Sequence, residues 1–204
     1  MRQRSYRWLT AVLAVAGLAA DQTSKYDVFR RLYPGPTEFP RGENDLVPGW
    51  FKLTAEFDLQ TPPCDCSYRG LQTYSAPVMP RVNHGALFGL GGGHKGGANQ
   101  FFAGVSVLAA AGILIWVARK TTAADGWLSA ALGLILGGTI GNLYDRVVFN
   151  GVRDFLYFYR VDWPVFNVAD CCLVVGACML LLHAFFTPSP AKPATEPVPA
   201  PTAG

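Results

Sequence analysis

Four long apolar runs divide the chain, and its polar residues are arranged around them. The first run, residues 8–20, follows a basic start, MRQRSYR, and is cut short by Asp21. A hydrocarbon core takes about 20 residues of helix to cross, so this run spans only if it continues through Asp21 to about Tyr26. A basic start, a short apolar stretch and small residues before Asp21 also fit a cleavable secretory leader, and locally the two readings are even. The second run, 101–117, is closed by Arg119 and Lys120; the third, 127–144, stays uncharged until Asp145; the fourth occupies 165–186. With the first run kept as a span over 8–26, Arg2, Arg4 and Arg7 share one side of the membrane with the short Arg119/Lys120 loop. The positive-inside rule makes that side cytoplasmic. The pattern predicts four spans with both termini cytoplasmic, and two outward segments, 27–97 and 147–164.

Within residues 33–88 aromatic and β-branched residues mix with Gly and Pro, as in GWFKLTAEFDL, which predicts short strands in a small outer subdomain. The expected fold class is therefore mainly α and integral to the membrane, a four-transmembrane-helix bundle with a small extracytoplasmic β-subdomain. One domain covers 1–186, and a disordered Pro/Ala-rich cytoplasmic tail covers 187–204. In the third run Gly133, Gly137 and Gly141 recur every four residues, a ridge that lets a neighbouring helix backbone come close. GLGGGHKGG (89–97) lacks the Gly-Lys-Ser/Thr ending and the strand-then-helix setting of a phosphate loop, and reads as a flexible turn.

Composition agrees with a membrane protein. Of 204 residues 50% are hydrophobic and 15% charged, and the mean hydropathy is +0.22. The net charge of +3 comes from scattered Lys and Arg without a basic stripe, so no nucleic-acid partner is expected. Cys64, Cys66, Cys171, Cys172 and Cys178 have no metal-ligand spacing. The last three read as thiols packed in a helix. Cys64 and Cys66 are candidates for oxidation in an outer loop, with no partner specified.

What the spans leave unexplained is a set of polar residues at their outer ends. Asp21 and Lys25 are spaced to pair on one helix face, Asn142 and Arg146 repeat that spacing, Asp154 follows in the outward loop, and Asn167 and Asp170 open the fourth span. Asp145 and Arg153, taken singly, read as ordinary interfacial charges. Asp170 does not, because a carboxylate a turn inside a span is costly unless paired, protonated or used. Convergence from three spans points to a shared site. His84, His94 and His183 lie apart from it, which disfavours a histidine-based triad. Asp154 and Asp170 form the obvious pair: two carboxyls held close share a proton, so one activates water while the other polarises a carbonyl. A small proton-coupled transporter or channel is the alternative, although its acids belong near the midplane on facing repeats. A structural membrane protein with polar helix ends is a third reading.

DQTSK (21–25), NHGALFG (83–89), GGTIGNLYDR (137–146), GVRDF (151–155) and FNVAD (166–170) together resemble, in order and spacing, the motifs of signal peptidase II, the bacterial lipoprotein signal peptidase. The resemblance implies an aspartic endopeptidase of the bacterial inner membrane, active at its outer surface. It implies removal of the signal peptide from diacylglyceryl-modified prolipoproteins by cleavage before the lipidated cysteine. The implied catalytic pair is Asp154 and Asp170, supported by Asp21, Lys25, Asn83, Asn142, Arg146 and Asn167. No metal or cofactor is implied; the partners are the prolipoprotein and membrane lipid, and the expected working unit is a monomer. The resemblance also favours retention of the first span, since cleavage would strand the Asp21 motif. Two departures stand out: an insertion of about residues 57–81 in the outer loop, and Cys171 where many relatives carry serine.

Overall fold

The computed structural model describes residues 5–35, 41–85 and 95–186. The tail, His94 and all but the end of the glycine-rich stretch lie outside the described residues.

Four long helices dominate: α1 (Arg7–Arg31), α3 (Lys95–Ala118), α5 (Gly126–Val148) and α6 (Val168–Phe186), with the short α2 (Arg69–Ser75) and α4 (Lys120–Ala123) between them. Among the described residues three stretches are long and apolar enough to cross a membrane: Gly97–Ala118, Gly126–Val148 and Val168–Phe186. The shortest, with 19 residues, is about 28 Å long at 1.5 Å per residue. The fourth long helix, α1, does not meet that measure of apolarity. Asp21, Lys25, Asp27, Arg30 and Arg31 load its second half with charge. It runs five residues past the expected end because Val28 and Phe29 are buried under the sheet.

Helix α5 sits at the centre, with more than half of its apolar stretch buried. Asp125 caps it, its carboxylate accepting the Leu128 N–H at 3.0 Å. The glycine ridge does what its spacing predicts. A Cβ at Gly137 would stand 2.7 Å from the Ala14 carbonyl oxygen, and one at Gly133 2.8 Å from that of Thr10, so α1 lies directly on α5. Gly138 and Gly176 do the same between α5 and α6. The outer surfaces stay apolar: Leu108 and Ile115 on α3 and Val174 and Phe185 on α6 are exposed, as lipid-facing positions are.

The sheet covers one end of this bundle. Strand β1 (Arg41–Val47) pairs antiparallel with β2 (Phe51–Asp58) in the register Gly42↔Ala55, and the turn between them places Gly49 at φ +80°, where glycine alone is unstrained. Strand β2 also pairs with β3 (Met79–Pro80) and β4 (Leu156–Tyr157). The strands expected within 33–88 therefore recruit a fourth from the segment before α6. Ala55, Phe57, Ala76 and Phe155 pack on Val28 and Phe29 to join sheet and bundle. Residues 57–81, expected as an insertion, contribute β3 and the unexpected α2. A disulfide joins Cys64 to Cys66, while Cys171 and Cys172 are half-buried free thiols. Cys178, expected to pack within the bundle, is exposed on its surface.

Candidate active site

Asn167 and Asp170 form a reciprocal cap at the start of α6. The Asp170 N–H donates to Asn167 Oδ1 at 3.0 Å, and the Asn167 N–H donates to Asp170 Oδ2 at 3.1 Å, so each satisfies a backbone donor that the helix start leaves open. That is the local reason an aspartate is tolerated one turn into an apolar helix. Its other oxygen, Oδ1, accepts from Asn142 Nδ2 on α5 at 2.9 Å.

Asp154 arrives from a segment pinned on both sides. Val152 exchanges two backbone hydrogen bonds with Asn83, and the Phe155 N–H donates to the Phe166 carbonyl at 3.0 Å. The Asp154 carboxylate accepts from Asn167 Nδ2 at 2.6 Å and from Asn83 Nδ2 at 3.1 Å. Asn167 thus touches both carboxylates, one with its side chain and the other with its backbone. Burial, and after it the neighbouring Asp170 carboxylate, push the Asp154 pKa up to about 6. A cavity of about 360 Å³ opens beside Asp154, lined also by Arg41, Thr54, Glu56, Arg81 and Asn83.

Behind the pair lies a network built around the buried Asp21, Lys25, Asp145 and Arg153. Lys25 is fully buried; its Nζ donates to Asp21 Oδ2 at 2.8 Å and to Asn142 Oδ1 at 3.2 Å, and stands 3.4 Å from Asp145 Oδ2. The expected Asp21–Lys25 pair is therefore present, and Lys25 reaches Asp170 through Asn142. Asp21 Oδ1 accepts the Ala169 N–H at 2.9 Å, which ties α1 to the first turn of α6.

Asp145 and Arg153 are not the interfacial charges that each suggests alone. Both are 0% exposed. Arg153 donates from Nη2 to Asp145 Oδ1 at 2.8 Å and from Nε to Oδ2 at 3.2 Å, and the Phe149 and Tyr26 rings lie 3.9 and 4.3 Å from its guanidinium carbon. Gln22 ties the network together: its Nε2 donates to Asp21 and Asp145, and its Oε1 accepts from Arg153. Gln22, Asp145 and Arg153 fall within DQTSK, GGTIGNLYDR and GVRDF, but their spacing along the chain gives them no shared role. Arg146 stands near the pair, its charge interacting with both Asp154 and Asp170. It makes no hydrogen bond to either aspartate, and instead stands 5.0 Å from the centre of the Phe102 ring and donates to Asn99 Oδ1 at 3.4 Å. His183, far from this end, pairs with Asp125 at 2.6 Å.

Fold and site together define a helical membrane protein with two aspartates gathered at one end of its bundle under a small sheet. The family model for signal peptidase (SPase) II matches residues 76–186, and the chain belongs to that family. It is 38% identical over 188 residues to the lipoprotein signal peptidase of Rhodopirellula baltica, covering 85% of this chain and 70% of that one. It is 42% identical over 184 residues to that of Aeromonas hydrophila, covering 88% of each. A bacterial membrane enzyme solved by the in meso method at 1.9 Å resolution shares the fold, with a TM-score of 0.65 at 19% identity over 93% of this chain and 99% of that one. A second such structure, at 2.3 Å resolution, gives 0.64 at 18% identity, covering 94% and 99%.

Proposed function

We propose that this protein is an aspartic endopeptidase that removes the signal peptide from diacylglyceryl-modified prolipoproteins, cleaving before the lipidated cysteine, with Asp154 and Asp170 as the reacting pair. The observation that carries the assignment of the pair is Asn167, which holds both carboxylates at the mouth of the bundle. Asp170 is the base: it takes a proton from the attacking water. Asp154 holds the shared proton, consistent with its raised pKa, and gives it to the carbonyl oxygen of the scissile bond as the tetrahedral intermediate forms. Collapse of that intermediate breaks the C–N bond, with a proton passing to the leaving nitrogen. Lys25 and Asn142 fix Asp170 from behind, and Asn83 fixes Asp154.

A lipid-anchored substrate brings its scissile bond to the membrane surface, and a pair at the start of α6 lies at that depth. In this reading α1 completes a fourth span, both termini are cytoplasmic, and the site faces the outer side of the bacterial inner membrane. Family membership and the gathering of the acids at one end give no support to a transporter or channel.

The test is cleavage of a diacylglyceryl-modified prolipoprotein by purified protein in detergent. Asp154→Asn and Asp170→Asn are each expected to lower kcat by at least about 100-fold while melting as a folded protein. Either variant turning over at the wild-type rate removes that residue from the pair. Because Asp154 must carry a proton, kcat/KM of the wild type falls as pH rises above about 6.

A further inference from the structure

The insertion, about residues 57–81, takes no part in the chemistry above, yet it is docked onto the bundle by polar and aromatic contacts. Tyr74 of α2 packs against Tyr26 of α1, ring centres 5.4 Å apart, and its ring also takes the Arg30 guanidinium at 5.4 Å. Gln72 is 4% exposed. Its Oε1 accepts the Cys64 N–H at 2.8 Å and its Nε2 donates to the Val148 carbonyl at the end of α5. Ser75, fully buried, accepts from Arg153 Nη1 at 3.3 Å.

That last bond matters because of what Arg153 adjoins. Its main-chain N–H donates to Asp145 Oδ2 at 2.9 Å, and its side chain is held by Asp145, Gln22 and Ser75 between two aromatic rings. The next residue is Asp154. Successive side chains in extended backbone leave opposite sides, and here Arg153 turns into the bundle while Asp154 turns to Asn83 and Asn167. Fixing one fixes the other.

We propose that the insertion is a positioning element for catalysis: through Gln72 and Ser75, α2 completes the socket of Arg153, and that socket sets where the Asp154 carboxyl stands relative to Asp170. This rests on the reading of Asp154 and Asp170 as the reacting pair. Of the hydrogen bonds to Arg153, the one from Ser75 alone comes from the insertion. Without it Nη1 is a buried donor lacking that partner, a condition the guanidinium relieves by shifting. A shift of a few tenths of an ångström, passed across one peptide unit, is enough to matter, since a misplacement of about 1 Å at a reacting group costs about 100-fold in rate.

The experiment compares Ser75→Ala, Ser75→Thr, Gln72→Ala and Asp154→Asn on a synthetic diacylglyceryl-modified prolipoprotein in detergent, with kcat normalised to folded protein. Ser75→Ala and Gln72→Ala are expected to lower kcat about tenfold with KM within about twofold, and Ser75→Thr to restore it. The alkaline limb of kcat/KM moves down in both impaired variants as water reaches Asp154. The charged groups around Asp154 are Asp170 from α6, Arg146 from α5, Lys25 from α1, and Arg41, Glu56 and Arg81 around the adjoining cavity. None is altered, so the limb reports the placement of Asp154 itself. A lower melting temperature with kcat and the limb unchanged overturns the proposal and leaves the insertion a structural graft. If Ser75→Ala does not fold, Gln72→Ala carries the same comparison, because it loosens α2, and with it the placement of Ser75 against Arg153, while keeping the Ser75 hydroxyl itself. Asp154→Asn retaining activity removes the pair itself; Asp154→Asn inactive beside normal Ser75→Ala and Gln72→Ala overturns the positioning role alone.

Discussion

The ionised carboxylate of Asp154 works against its own fold. Its folded-state pKa of about 6 lies above the ordinary 3.8, so ionising it costs folding energy. Below about pH 4 it is protonated in both folded and unfolded chains and the cost is absent; as pH rises through about 6 the cost becomes complete. Asp154→Asn should therefore melt with the wild type near pH 4 and above it at pH 7 to 8. The gain is about 1 kcal/mol rather than the full shift, because the carboxyl reaches the cleft surface, where solvent screens it. Melting curves in detergent that run parallel from pH 4 to 8 would contradict the raised value. At this scale the Asp21–Lys25 pair was legible, since four residues of helix bring the two together. The Asp145–Arg153 pair was not, because its burial depends on Tyr26 from α1 and on Ser75 from α2.

At the scale of elements, the glycine ridge of α5 is the joint on which the site is hung. Gly141 lets Asp21 approach α5: a Cβ there would fall 2.6 Å from Asp21 Oδ2. Gly137→Val pushes α1 off α5 at Ala14, and overpacking of this kind costs about 1–3 kcal/mol. Gly104 of α3 has no atom within 4 Å of an added Cβ, so Gly104→Val is the matched control and should melt like the wild type. Equal losses from the two substitutions would show that close approach of α1 is not what Gly137 provides. The ridge could be read from its four-residue spacing. Helix α2 could not, because seven residues with no apolar period carry no helix signal; it is held by Gln72 and Tyr74 docking on distant elements.

For the whole molecule, the sheet caps one end of the bundle and the short α4 closes the other. If the sheet end faces outward, a membrane-impermeant maleimide applied to intact cells labels Trp50→Cys at the hairpin turn and leaves Lys120→Cys unlabelled until the membrane is opened. Labelling of Lys120→Cys alone would invert the orientation and take the proposed site to the cytoplasmic side. Here the apolar runs were legible and their ends were less so. Helix α6 begins at Val168 rather than 165 because Phe166 is bridged to Leu156 and Asn167 serves as the cap. Helix α1 falls short of a span by apolarity because its second half is charged: Asp21 and Lys25 pair inside the protein, and Asp27 and Arg31 pair on its surface.

What the sequence determined by itself is whatever depends on neighbours along the chain: the apolar runs, the ridge of glycines, the Asp21–Lys25 pair and the polar opening of α6, each set by helical period or local capping. Its motif order also carried the family. The tertiary structure alone decided which charges are buried, that Cys64 pairs with Cys66, that Asn167 spans both aspartates, and that Ser75 of α2 reaches the residue beside Asp154. These depend on distances between residues up to 148 positions apart, as between Asp21 and Ala169. Burial and hydrogen bonding across such separations follow from how helices pack, and no local pattern encodes them.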